Sequence, residues 1–305
     1  MKIAIIGAGA MGSLFGGRLA LAGEDVWLLD VWEEHVRTIS DKGLTIATAA
    51  GDLVARPKAT TKPEDIGTAD LVIVFVKSSA TRAAAETTAG LLGPDTAVLT
   101  LQNGYGNAEA IAEVVGAARV IAGTTAQGAT LLGPGRIMHG GSGDTHIGEL
   151  GGGITDRLEK VAACLTRAGI QTVADDNVAS LIWGKLVVNV GINALTAITG
   201  LKNGELADHE ETRQVLAMAV EEAVRVADAA GVKLPYDNAV EKVLAVAVAT
   251  AQNRSSMLQD LSGGRRTEID AINGALVREG ERVGVATPVN KVLTLLIKVL
   301  EKLPR

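Results

Sequence analysis

Lys2-Ile-Ala-Ile-Ile-Gly-Ala-Gly-Ala-Met-Gly12 is the stretch that decides the fold. Five apolar-rich residues suited to a buried strand run directly into Gly7-Ala8-Gly9-Ala10-Met11-Gly12, which opens a helical stretch reaching Gly23. A GxGxxG pattern carries weight only in this strand–turn–helix setting. Gly7 permits the tight turn, Gly9 lets a pyrophosphate approach the backbone, and Gly12 allows helix and strand to pack closely. The helix N-terminus then offers free N–H groups and a positive dipole end to the phosphates. A glycine-rich turn without a ligand is the alternative, and the next strand, Asp25–Leu29, argues against it.

That second strand ends at Asp30, 18 residues after Gly12. A carboxylate there accepts hydrogen bonds from ribose hydroxyls and repels a 2′-phosphate. No Arg or Lys lies between Asp30 and Arg37 to hold such a phosphate. Asp30 could instead be a helix cap or turn residue. NAD(H) is the favoured cofactor, with NADP(H) left open.

Further along, β-branched runs at 71–76, 97–101 and 120–123 alternate with helical segments, as in a parallel sheet covered by helices. Arg136–His139 and Thr145–Gly148 read as a hairpin. From about residue 176 the pattern turns to helical periods near 177–197, 208–230, 237–252, 264–283 and 288–302. The expected fold is therefore an α/β Rossmann-type dinucleotide-binding domain over 1–175, followed by an all-α substrate and catalytic domain over 176–305.

Bulk properties narrow the function. A net charge of −6 gives no electrostatic footprint for nucleic acid, and aromatics at 2% leave no platform for stacking bases. The uncharged run Leu186–Leu201 is too short to span a bilayer, so no membrane partner is expected. The one cysteine, Cys164, suits a reducing cytoplasm and reads as a small core residue of a helix over 158–168. His35, His139, His146 and His209 lie too far apart for a zinc set, so no metal is expected. The apolar helices 210–230 and 237–252 could supply a homodimer face.

In the helical half, Lys185, Asn189 and Asn193 recur every four residues in the apolar run Trp183-Gly-Lys-Leu-Val-Val-Asn-Val-Gly-Ile-Asn193. On a helix they share one face, each step rotated by about 40°. A cation and two carboxamides on an apolar wall suit a small polar substrate. A core helix with two satisfied asparagines and a snorkelling lysine is the other reading. Asp175 and Asp176 are expected to cap this helix.

Four segments together resemble the ketopantoate reductase family over nearly the full length: GAGAMG at 7–12, LQNGYG at 101–106, WGKLVVNVGIN at 183–193, and SSMLQD with RRTEIDAING within 255–274. The resemblance implies reduction of a branched 2-keto acid at C2 by a nicotinamide cofactor, giving (R)-pantoate for pantothenate and coenzyme A biosynthesis. It makes Lys185 the general acid and Glu268 a carboxylate near both Lys185 and the cofactor. Asn103 would touch cofactor and substrate, while Asn189, Asn193, Asn203 and Ser256 would bind substrate. Lys77 and Ala129 join Gly7–Gly12 as cofactor contacts. Asp30-Val31 departs from the basic residue that NADPH-dependent members carry after the second strand. Some relatives that use NADH act as (R)-2-hydroxy acid dehydrogenases on other branched or aromatic acids, and that is the alternative activity. A non-catalytic NAD(H)-binding redox sensor is a further alternative. β-Hydroxy acid dehydrogenases share the architecture but carry a glycine-rich run before their lysine, which Ser180-Leu-Ile-Trp-Gly-Lys185 lacks.

Hydride addition to a ketone builds charge on oxygen, so a proton donor must lie within hydrogen-bond reach. An ammonium at Lys185 donates the proton and stabilises the developing alkoxide. Burial should lower its pKa and Glu268 should raise it again, leaving it mostly protonated at neutral pH. Because Glu268 and Ile272 stand four residues apart, the TEID run is expected to be helical.

Overall fold

A computed structural model describes residues 1–303. The chain divides into two compact units, one made of Met1–Gln102 and Asn107–Val178, the other of Asn103–Gly106 and everything from Ala179 onward.

The first unit begins with β1 (Lys2–Ile6), α1 (Ala10–Leu21), β2 (Asp25–Leu29), α2 (Glu33–Lys42), β3 (Leu44–Thr48), β4 (Gly51–Ala55) and β5 (Lys58–Thr60). It continues through β6 (Ala69–Val74), α3 (Thr81–Ala89), β7 (Leu92–Thr100), α4 (Asn107–Val115) and β8 (Val120–Thr125). β9 (Gly128–Gly133), β10 (Arg136–Gly141), β11 (Thr145–Glu149), α5 (Asp156–Arg167) and β12 (Thr172–Ala174) complete it. Eight strands form one sheet in the order β12-β11-β8-β7-β6-β1-β2-β5. β1 pairs in parallel with β2 on one side and β6 on the other. The strand order therefore reverses at β1, opening the crevice at the carboxyl ends where ligands bind in such sheets. Ile3, Ile5, Leu71 and Ile73 are fully buried at the centre, each contributing about 1.5–3 kcal/mol through burial.

A second sheet, in the order β4-β3-β10-β9, covers the other side of α1. The helix is thin because it must be. A Cβ on Gly16 would come within 2.5 Å of Leu28 in the large sheet, and one on Gly17 within 2.7 Å of Ile46 in the small one. Leu14, Ile46 and Ile137 form a separate buried cluster there.

This small sheet overturns the expected hairpin. β10 pairs antiparallel with β9 and in parallel with β3, whereas β11 pairs with β8 and β12 in the large sheet. The Gly-rich segment between β10 and β11 carries the chain from one sheet to the other rather than turning it back.

The second unit holds α6 (Val178–Thr199), α7 (Glu210–Ala229), α8 (Ala239–Ala249), α9 (Ser256–Ser262), α10 (Asn273–Val283) and α11 (Pro288–Leu300). Its core is centred on Trp183, Leu186, Val187 and Val190 of α6, all at most 1% exposed. At 22 residues, α6 has the length and apolarity to cross a membrane, but 67% of its most apolar stretch is buried inside the structure. A buried polar chain ties the helices together. Asn273 donates to the Val190 carbonyl (3.3 Å) and to Asn290 Oδ1 (2.9 Å), and Asn290 donates to Glu222 Oε2 (2.7 Å) and the Ala219 carbonyl (3.0 Å). Glu222 also accepts the Val289 and Asn290 backbone N–H groups, closing the start of α11.

Two further expectations change. The segment from Gly263 to Ile272 is not helix: α9 ends at Ser262 and α10 starts at Asn273. Glu268 lies on a turn in which the Ile272 N–H donates to the Glu268 carbonyl at 3.1 Å. That one turn satisfies the four-residue spacing without a helix around it. Nor do the two aspartates cap α6 directly. Asp175 accepts the Asn177 N–H at 2.9 Å, one residue before the helix.

Candidate active site

The nucleotide end is built by the three glycines, each for a different reason. Gly7 takes a φ of +94°, and a Cβ on it would strike Val76 at 2.9 Å. A Cβ on Gly12 would sit 1.9 Å from the Gly7 carbonyl oxygen, so the helix can begin this close to the turn only with glycine. Gly9 has open space where its side chain would be. That gap leaves the first N–H groups of α1 open to an approaching anion.

Asp30 stands at the end of β2, partly buried, with both carboxylate oxygens already engaged. Oδ2 accepts the Ala8 N–H at 2.7 Å and Oδ1 the Trp32 N–H at 3.0 Å. The carboxylate is thus tied to the glycine turn, with lone pairs left for ribose hydroxyls. A pocket of about 280 Å³ adjoins it, with Val31, Thr61, Pro63, Ala83 and Thr87 among its walls. Its mostly apolar lining suits a flat heteroaromatic ring.

Lys77 follows β6 on the exposed edge of this end. Behind it lies a network the sequence reading passed over. The Gln102 amide donates to the Val76 carbonyl (2.7 Å) and to Thr81 Oγ1 (2.8 Å), and Thr81 donates to Asn107 Oδ1 (2.9 Å). Gln102 thereby locks the ends of β6 and β7 together, fixing where Lys77 and Asn103 leave the sheet. Its signal was in plain view as the second letter of LQNG. Ala129 lies on β9 of the small sheet that covers α1, packed beside the Leu14–Ile46–Ile137 cluster.

Asn103 to Gly106 belong to the helical unit. The Tyr105 N–H donates to the Ala271 carbonyl at 2.8 Å, and its ring packs on Trp183 at 5.1 Å between centroids. Gly104, at φ +90°, presses on Ala271, where a Cβ would meet the carbonyl oxygen at 2.4 Å. This short segment is therefore held between the first turns of α6 and the turn that carries Glu268.

Lys185, Asn189 and Asn193 do share a face of α6. The Lys185 residue retains partial exposure, but its ammonium is set where desolvation pushes its pKa down to about 8, against the field of Glu268, which raises it. Asn193 is 7% exposed and Asn189 partly buried. One turn on, Thr196 donates to Ser255 Oγ at 2.7 Å, and Ser255 accepts the Leu258 N–H as the cap of α9. Ser255 is thus consumed by structure, leaving the exposed Ser256 beside it. Asn203 reaches the same stretch of chain. Its N–H donates to the Asn253 carbonyl at 3.0 Å and its amide to Thr250 Oγ1 at 2.9 Å, while its buried Oδ1 has no partner. Arg254 is exposed and donates to Ser262 at 2.7 Å.

Chemically, the helical unit offers a desolvated ammonium with a carboxylate near it and carboxamides on the same face. The sheet unit offers a dinucleotide cradle. Among the described residues no cluster of His, Cys, Asp and Glu could hold a metal.

Comparison with known proteins gives a consistent picture. Residues 3–152 match the family model described as ketopantoate reductase PanE/ApbA, and residues 177–301 match its C-terminal counterpart. A 2-dehydropantoate 2-reductase from Halobacterium salinarum is 40% identical over 303 residues, covering 99% of both chains. The crystal structure of a PanE/ApbA family ketopantoate reductase from Ralstonia eutropha JMP134 superposes with a TM-score of 0.91 at 37% identity, covering 99% of this chain and 98% of that one. A ternary structure of D-mandelate dehydrogenase with NADH and anilino(oxo)acetate superposes with a TM-score of 0.92 at 34% identity, with the same coverage.

Proposed function

The chain belongs to the ketopantoate reductase family of NAD(P)-dependent oxidoreductases acting on CH–OH, and we propose that it is a cytoplasmic 2-dehydropantoate 2-reductase that favours NADH. The observation that carries the reading is Lys185 on α6, with Asn189 and Asn193 on the same face of the helix; desolvation pushes its pKa down to about 8, against the field of Glu268. A donor near operating pH suits general acid catalysis far better than a free lysine at about 10.4.

A bound nicotinamide would supply the hydride, which forms the new C–H bond at C2 as the carbonyl π electrons move to oxygen. Lys185 Nζ gives its proton to that oxygen and leaves as a neutral amine, which solvent reprotonates. Before transfer, its charge stabilises the growing alkoxide. Glu268 keeps Lys185 protonated by its field and acts as a positioning residue. Asn103, Asn189, Asn193, Asn203 and Ser256 supply donors for the substrate carboxylate and hydroxyl. Gly7–Gly12, Lys77 and Ala129 would hold the dinucleotide, and Asp30 its ribose. The Asp30 carboxylate supports NADH over NADPH, as does the NADH named in the D-mandelate dehydrogenase structure.

That neighbour also favours a second reading, an (R)-2-hydroxy acid dehydrogenase acting on another branched or aromatic acid. One assay decides. NADH and NADPH consumption is followed with ketopantoate, 2-ketoisovalerate and phenylglyoxylate. The proposal expects the highest kcat/KM with ketopantoate and NADH. A preference for phenylglyoxylate supports the second reading, and dinucleotide binding without turnover of any acid points to a redox sensor. A homodimer is part of the proposal, but its apolar face is placed on α11 rather than on α7 and α8 as expected: among the described residues α7 and α8 each expose one large hydrophobic side chain, Met218 and Val248, whereas Val292, Leu295, Leu296 and Val299 of α11 are each about half exposed. Light scattering reads the mass.

A further inference from the structure

His35 is a fully buried histidine that no step above uses. It lies on α2 and touches two other segments and the residue that precedes its own helix. The Gly135 backbone N–H, at the turn between β9 and β10, donates to its Nδ1 at 3.0 Å. Its Nε2 lies 3.3 Å from Ser13 Oγ on α1, and Ser13 donates to the Ala8 carbonyl at 2.7 Å. Its ring stacks on Trp32, with centroids 5.2 Å apart and planes within 8°.

These contacts fix the tautomer. A backbone N–H can only donate, so Nδ1 must be bare and the proton must sit on Nε2, directed at Ser13. The order of donation is then Gly135 N–H to His35, His35 to Ser13, and Ser13 to the carbonyl of Ala8. Ala8 is the residue whose N–H is held by Asp30 Oδ2. Trp32, stacked on the ring, is in turn the residue whose N–H is held by Asp30 Oδ1. Both ends of the proposed cofactor cradle, the glycine turn and the ribose carboxylate, therefore close on one imidazole.

We propose that His35, as the neutral Nε2–H tautomer, is a positioning residue for dinucleotide binding, holding the Gly7–Gly12 turn and Asp30 in register through Ser13 and Trp32. The inference rests on the reading of that turn as the dinucleotide cradle. Protonation would aim a second N–H at the Gly135 N–H, leaving two buried donors face to face, so the neutral form is the binding form. Burial holds the ring's pKa below its usual value, opposed by the Asp30 charge and by the Ala8 backbone. The other charged groups on the elements around it are engaged or exposed. Arg18 of α1 bonds His139, Arg136 of β10 pairs with Asp52, and Glu33, Glu34 and Arg37 stand exposed on α2.

The test is titration of the full-length protein with NADH and NADPH by calorimetry, alongside steady-state kinetics. His35→Phe keeps the ring stack and removes both hydrogen bonds. It should raise the Kd of the preferred dinucleotide at least tenfold while leaving kcat at saturating dinucleotide within twofold. His35→Gln, which can still donate to Ser13, should recover most of that loss, and Ser13→Ala should raise Kd at least threefold. In the wild type Kd should climb as pH falls from 7.5 to 5.5, and in His35→Gln this climb should be absent. If His35→Phe does not fold, Ser13→Ala and the pH series decide. Wild-type affinity in Ser13→Ala or His35→Phe, or an equal pH dependence in His35→Gln, overturns the role of His35 alone. A wild type that binds neither dinucleotide overturns the cofactor reading with it.

Discussion

Lys185 and Glu268 make opposed and separable predictions. Lys185→Ala should lower kcat by about 100- to 10,000-fold, the usual span for losing a positioned proton donor. Dinucleotide affinity should stay within threefold, since the proposal places the residue's action at the carbonyl. In the proposed mechanism the protonated lysine is the active form in the reductive direction. Its pKa near 8 means the rate should be level below that pH and fall by about tenfold per pH unit above it. The oxidative direction needs the neutral amine, so there the rate should rise through the same range. Glu268 raises the lysine pKa. Glu268→Gln should therefore move the falling limb to lower pH, and an unmoved limb would remove Glu268 from this role. At the other end, Asp30→Ser should lower the NADH-over-NADPH ratio of kcat/KM by about tenfold, as the charge opposing a 2′-phosphate is lost. The same change also frees the Ala8 and Trp32 N–H groups, so NADH affinity itself should weaken.

The elements carry their own tests. Gly9 and Gly12 sit three residues apart and should respond in opposite ways. Gly12→Ala meets the Gly7 carbonyl oxygen at 1.9 Å and should destabilise the fold by several kcal/mol or prevent it, readable as a lowered Tm. Gly9→Ala meets nothing within 4 Å, so its Tm should stay near that of the wild type while NADH affinity falls at least tenfold. Glu222→Ala strips the buried cap from α11 and leaves Asn290 short of an acceptor, which should cost about 2–4 kcal/mol in denaturant unfolding. The elements also show which parts of the fold were legible. β1, α1 and β2 were readable because a buried parallel strand and a glycine turn have few alternatives. α6 was readable because its polar residues repeat every four positions. The small sheet was not. β3 and β10 pair across some ninety residues of chain, and β4, β9 and β10 are short, glycine-bearing and largely exposed on one side. Local pattern therefore could not tell them from loops. The TEID turn departs from the helical expectation because Glu268 and Ile272 stand four residues apart in an isolated turn as they would in a helix. His35 was weighed only as a metal ligand, and its partners Ser13 and Gly135 lie 22 and 100 residues away.

For the whole molecule, Cys164 gives a simple check on integrity. It is fully buried on α5, and desolvation pushes its thiol up to about 11. It should ignore thiol reagents at neutral pH and react only as the fold opens. The excursion of Asn103–Gly106 into the helical unit has a larger consequence. The chain enters that unit, leaves it and returns, at 102/103, 106/107 and 178/179. A single cut at residue 178 therefore cannot yield two intact halves. The C-terminal fragment would lose Tyr105 from the face of Trp183, its only tryptophan, and its emission should shift to the red of that residue's emission in the whole protein. Gene fusion or domain exchange that treats the halves as cassettes would separate this four-residue stitch from the unit it packs in. The protein is two units in packing but one piece in inheritance.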